Sequence, residues 1–208
     1  MCLDFEIWKN AITNPEETFK KEEKKADIGK GIKQIGIAGI ISGILSGIAI
    51  WLGIAKVGSL FGLSGVAIGS EVGAMTFLTT IILTPITAVI SWLIWSGIIY
   101  IFAMIFGGKG SYTTQSYLIA LYTAPLMIIY SFLAFIPVIG QIIIFLVGLY
   151  SLYLLTMALK QSHKLSTGKA VAIWLVPAVI ITIILMIFAA TAFSTLMALY
   201  GLPSVPTI

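Results

Sequence analysis

Polar and apolar positions along this chain are sorted rather than mixed. From Gln34 onward, five apolar stretches (34–55, 74–106, 114–135, 138–159 and 170–200) alternate with short links, and their cores hold no Asp, Glu, Lys or Arg. Each reaches the length of about 20 residues that a helix needs to cross the hydrocarbon of a bilayer. Lipid offers the backbone no hydrogen-bond partner, so each stretch must satisfy its own N–H and C=O groups. None shows the alternation of a barrel strand, which leaves the helix. The pattern predicts an all-α polytopic membrane protein with five transmembrane helices in one bundle.

The first 33 residues follow another pattern. Leu3, Ile7 and Ala11 fall on one helical stripe beside Phe5, Trp8 and Ile12, the spacing of an amphipathic helix whose Trp8 suits the headgroup interface. Asn14-Pro15-Glu16-Glu17 then reads as a helix start: Asn14 caps free amides, Pro15 takes the first helical position, and Glu17 completes a capping-box spacing. Glu16–Lys20 and Glu17–Lys21 are i, i+4 pairs in the favourable order, each contributing about 0.2–0.5 kcal/mol. This second helix is expected to run to about Asp27 and to break at Gly29 and Gly31, ahead of the first span. The segment reads either as a docking arm offered to a cytoplasmic partner or as a membrane-hugging leader whose lysines set topology.

Charge orients the chain. Eleven of the twelve lysines lie in residues 1–33, at Lys109, and at Lys160, Lys164 and Lys169, all on one side of the predicted spans, against Lys56 on the other. The positive-inside bias therefore predicts a cytoplasmic N-terminus and an outer C-terminus, in the cell membrane if the chain is prokaryotic. The net charge of +4 is topological and does not point to nucleic acid, since the chain has no Arg to clamp phosphates. The single cysteine, Cys2, excludes an intrachain disulfide; it is a candidate for acylation or an incidental residue. The charged N-terminus does not resemble a signal peptide.

Within the spans, Gly39, Gly43 and Gly47 recur at steps of four, the small-residue spacing that lets two helix backbones approach closely, either inside one chain or between two copies. Thr76, Thr80, Thr84, Thr87 and Ser91 form a hydroxyl stripe on the second span, expected to face the bundle as packing contacts or to line a water-filled path. An ion path would bring an ionisable group near the midplane, and the span has none. Pro85, Pro125 and Pro177 each remove one helical hydrogen bond and are expected to kink their spans. The glycine-rich link from Lys56 to Gly73 is expected at the outer interface, and Ile136 to Gly140 as a tight outer turn.

Catalytic chemistry has little to work with. His163 is the only histidine and is expected in a short cytoplasmic loop without a carboxylate to orient it. Seven of the eight acids precede residue 28, and the eighth, Glu71, is on the other side of the membrane. Neither a triad nor a zinc site can be assembled from these, and Ser166-Thr167-Gly168-Lys169 lacks the first glycine of a phosphate loop. Ser166 or Thr167 reads instead as the cap of the fifth span. The expectation is a non-enzyme with no cofactor and no metal.

Asn14-Pro15-Glu16-Glu17-Thr18-Phe19 resembles the entry to the Yip domain, the domain of Ypt/Rab-interacting multispanning membrane proteins. Gly108-Lys109-Gly110-Ser111-Tyr112 with Tyr122-Thr123-Ala124-Pro125, the stretch from Tyr153 through His163-Lys164-Leu165-Ser166 to Lys169-Ala170, and Pro177 are similar to its later segments. The resemblance runs from about Asn14 to Tyr200, and the short arm is like that of a prokaryotic-type member. It implies five spans, a cytoplasmic N-terminus, and a scaffold or adaptor that recruits membrane proteins, in homo- or hetero-oligomers, and prenylated small GTPases. Such a scaffold would organise traffic or shape the bilayer. On this reading the partner face comprises Trp8, Asn14, Pro15, Glu17, Phe19, Lys109 and His163. The rival reading is a transporter or channel for a small solute or lipid that uses the hydroxyl stripe.

Overall fold

A computed structural model describes residues 5–51, 70–136 and 138–199, so Cys2 and most of the link after the first span lie outside the described residues. Two short helices, α1 (Phe5–Thr13) and α2 (Pro15–Glu22), and a single 3₁₀ turn (Glu23–Lys25) form the arm. Five long helices follow: α3 (Ile28–Trp51), α4 (Ser70–Ile105), α5 (Tyr112–Leu133), α6 (Ile139–His163) and α7 (Thr167–Leu199). All five are long and apolar enough to cross a membrane, and the chain is a multi-pass membrane protein.

The arm starts as its residues dictate, with one difference. Pro15 opens α2, but Asn14 gives no side-chain cap; its Nδ2 donates to Glu17 Oε2 at 3.1 Å, while its carbonyl accepts from the Thr18 hydroxyl at 2.8 Å. The ion pairs among the described residues are also other than the two expected: Lys25 meets Glu22 and Lys164 meets Glu23, each at 2.7 Å. The predicted break at Gly29 and Gly31 does not occur. Asp27 Oδ1 accepts from the Lys30 amide at 2.9 Å, capping α3 so that it begins at Ile28 and passes through both glycines. Gly31 has another duty, because a Cβ there would fall 2.7 Å from the Trp92 ring of α4.

The glycines of α3 set its packing. A Cβ at Gly39 would lie 2.6 Å from Pro85 Cα, at Gly43 3.2 Å from Ile81 Cα and the Thr80 carbonyl, and at Gly47 2.7 Å from the Phe77 ring. As the position on α3 rises by four, its contact on α4 falls by four, the register of an antiparallel pair in backbone contact. The close partner of the glycine row is therefore the next span of the same chain. A second row of α3, Ile35, Ala38 and Ser42, is buried where α3 packs on α5.

α5 is the centre of the bundle. From Gln115 to Leu126 every residue but Thr123 is buried, with α3, α4, α6 and α1 packed around it. Ser111 caps it, accepting from the Thr114 amide at 3.1 Å. α7 lies across α4 and α6, where Ala170 and Ile173 are fully buried. Pro85, Pro125 and Pro177 all sit inside helices that continue past them.

Candidate functional site

Polar side chains that reach between helices gather on the arm side of the bundle. Trp8 Nε1–H of α1 donates to Gln34 Oε1 of α3 at 3.1 Å. Glu22, at the end of α2, is only 6% exposed; its carboxylate accepts from the Tyr117 hydroxyl of α5 at 3.0 Å and from Lys25 Nζ at 2.7 Å. A carboxyl group that deep needs such partners to replace the water it has lost. The next residue, Glu23, accepts from Gln161 Nε2 and, at 2.7 Å, from Lys164 Nζ, both after the middle of α6 or just beyond its end. Two consecutive glutamates thus fasten the arm to two different helices. Tyr150 adds a third tie, its hydroxyl donating to the Ile12 carbonyl at 2.7 Å.

A second cluster closes the ends of α4, α5 and α6. His163 is the last residue of α6 and 1% exposed, not a loop residue as expected. The Gly110 amide donates to its Nδ1 at 3.2 Å, so Nε2 carries the proton and donates to Gln115 Oε1 at 2.8 Å. Gln115 Nε2 in turn donates to the Ser96 carbonyl of α4 at 2.8 Å. The ring thereby spans three elements, and Tyr100 packs on it at 5.9 Å between centroids. A Cβ at Gly108 would strike Nδ1 at 2.6 Å, which explains a glycine there. The chain after α6 turns at Lys164 in the left-handed conformation (φ 55°), and α7 starts at Thr167 with Ser166 just ahead of it.

The predicted partner residues divide. Trp8, Pro15, Phe19 and His163 are buried, so these four are packing groups, with Phe19 fully covered and tilted against Tyr122 at 6.4 Å. Asn14, Glu17 and Lys109 are exposed and carry the outward surface, together with Glu16, Lys20, Lys21 and Lys24. An amphipathic stripe in the sequence says that α1 buries one face; here that face meets protein, not headgroups. Reasoning from sequence missed Gln34, Tyr117, Gln115 and Gln161. Their only signal was a long polar side chain at the border of an apolar run.

The hydroxyl stripe of α4 also divides. Thr76, Thr80 and Thr84 are half-buried, and the Thr84 side chain and the Thr80 carbonyl lie against Gly43, while Thr87 and Ser91 are exposed and do not face the bundle. The physical reason is local satisfaction: Thr80 donates to the Thr76 carbonyl at 2.7 Å and Thr87 to the Leu83 carbonyl at 2.8 Å, so neither needs a protein neighbour. Alongside the stripe runs an open groove of about 490 Å³, bounded by Met75 and Thr87 and lined between them by Thr79, Thr80, Leu83 and Thr84. Among the described residues no group of three His, Cys, Asp or Glu side chains comes together to hold a metal.

Compared with known families, the chain matches the model of the Yip1 domain over residues 9–204. No curated protein and no solved structure matches it.

Proposed function

Because the chain belongs to the Yip1 domain family, we propose that it is a non-enzymatic membrane scaffold, with the arm side of the bundle as its docking face for partner proteins. The observation that carries this reading is the fastening of the arm. Glu22 and Glu23 hold it to α5 and α6, so its outer face is a fixed platform and not a trailing segment. That platform presents Glu16 and Glu17 on one turn and Lys20, Lys21 and Lys24 on the next, a patterned charge that selects partners through complementarity. The lysine bias supports placing this face in the cytoplasm. Other membrane proteins, in homo- or hetero-oligomers, and a small GTPase are the partner classes the family suggests.

Removing the arm would also remove Trp8 and Phe19 from the core, so a deletion cannot separate docking from folding. The test is charge reversal on the exposed face, Glu16→Lys with Glu17→Lys, and separately Lys20→Glu with Lys21→Glu. Crosslinking and purification from native membranes should then lose specific partners while thermal unfolding stays unchanged. Identical partner sets from all three proteins would sink the proposal. The rival, a solute path along the second span, draws less support: the groove opens outward, and two of the stripe's hydroxyls, Thr80 and Thr87, are bonded to their own helix.

A further inference from the structure

The bonds of the arm fix how far along the bundle it reaches. Glu23 meets Gln161 and Lys164 at the end of α6, but the Ile12 carbonyl meets Tyr150, about three turns earlier on the same helix. On the other flank Trp8 bonds to Gln34 of α3. Around this level Lys9, Glu16, Glu17 and Lys33 are all exposed. Hydrocarbon does not solvate exposed charge, so its edge lies beyond Gln34 on α3 and at Tyr150 on α6. Tyr150 and Tyr153, exposed and stacked on each other, are the aromatic residues that suit such an edge.

From that edge the helices have unequal lengths left. Gly31 lies against Trp92 and Ala120, so Gln34, three residues on, is level with Val89 of α4 and Thr123 of α5. Trp174 donates to the Thr156 hydroxyl at 3.0 Å, which sets Val179 of α7 level with Ser151 of α6. Beyond this level α3, α4 and α7 continue for roughly 25, 28 and 30 Å, close to the ~30 Å of a bilayer's hydrocarbon. α5 ends at Leu133 after roughly 15 Å, and α6 begins at Ile139, roughly 16 Å from Tyr150. The α5–α6 hairpin thus covers about half the thickness that the other three helices cover.

Its turn is not suited to hydrocarbon either. α6 starts after Val138 without a side-chain cap, leaving amides that need polar neighbours, and Gln141 on its first turn is exposed. We propose that the bilayer comes to the turn. Along the α5–α6 edge it is pinched to about half its thickness, with headgroups drawn down to Gln141, while along α4 and α7 it keeps its full depth. The lipid surface that fits this edge is a thin one, and a protein of this shape gathers where the bilayer is thin.

Nitroxide labels on the full chain provide the test, with Cys2→Ser so that each variant carries one thiol. Collision with oxygen, set against collision with a water-soluble nickel chelate, measures the depth of each label in palmitoyl-oleoyl phosphatidylglycerol vesicles. Ile142→Cys, Phe145→Cys and Leu149→Cys place labels on exposed positions of α6, and Ile184→Cys and Phe188→Cys on exposed positions of α7. Depth should rise and fall along α6, peaking at Phe145 about 8 Å from a polar boundary, against about 15 Å at Phe188. A label at Phe145 as deep as that at Phe188 would overturn the proposal, because α6 would then cross a bilayer of full thickness. So would depth that climbs steadily from Leu149 to Ile142, the mark of a turn submerged in hydrocarbon.

Discussion

α6 is mostly buried from Leu154 to His163 and mostly open to the bilayer from Ile139 to Tyr153, and the buried residues described on α7, Ala170, Ile173 and Pro177, all lie in its first third. On the arm side, protein covers protein: Leu154, Leu159 and Ile173 are fully buried and the glutamate and histidine clusters tie helix to helix. On the far side, residues 179–195 of α7 are exposed all round, and lipid does the covering. Lipid tails are as apolar as leucine, so the far half gains little by packing its side chains together and is held by close backbone contact where it is held at all. The arm half behaves as a core cut to fit. The far half behaves as a set of solvated rods.

That contrast can be broken from either end, and unfolding free energies of purified variants in detergent or lipid would measure it. The largest loss is expected where α3 and α4 touch: Gly39→Val pushes against the Pro85 backbone and should cost about 3 kcal/mol, whereas Gly148→Ala, with nothing within 4 Å, should stay within about 0.5 kcal/mol. Next, Glu22→Ala strands the buried Tyr117 hydroxyl and should cost about 2 kcal/mol, with Glu22→Gln costing clearly less because it still accepts that proton. His163→Ala leaves Gln115 and the Gly110 amide without their partner and should cost about 1.5 kcal/mol, with faster hydrogen exchange at Gly110 as the local readout. Smallest of all, Ile184→Ala on the exposed half of α7 should change stability by less than about 0.5 kcal/mol. A large effect at Ile184 would mean that protein, not lipid, covers that helix.

The same contrast decides what could be read from the sequence. The five spans were legible because lipid leaves the backbone no other choice, and the glycine spacing on α3 was legible because close approach needs small residues wherever it occurs. Which helix meets those glycines was not, since the spacing fits an intrachain or an interchain neighbour equally. The stripe of Trp8 and Ala11 announced a buried face without saying that α5 would cover it. His163 read as a loop residue because its partners are 48 and 53 residues away in sequence, and nothing local marks them. The α4 threonines were expected to face the bundle, as packing contacts or as a path, because a periodic stripe suggests a common neighbour. A threonine bonded to its own helix needs none, so the stripe does not say which way it faces.

The bond from Glu23 to Gln161 joins residues 138 positions apart. During synthesis the arm emerges first, yet the helix that receives it is made last but one. At about 5–20 residues per second, roughly 7–28 s pass between the appearance of Glu23 and that of its partner Gln161 on α6. Phe19 waits for Tyr122 of the third span and Glu23 for the fourth, and through that interval the newborn arm is the part of the chain that a chaperone or the membrane surface must shelter.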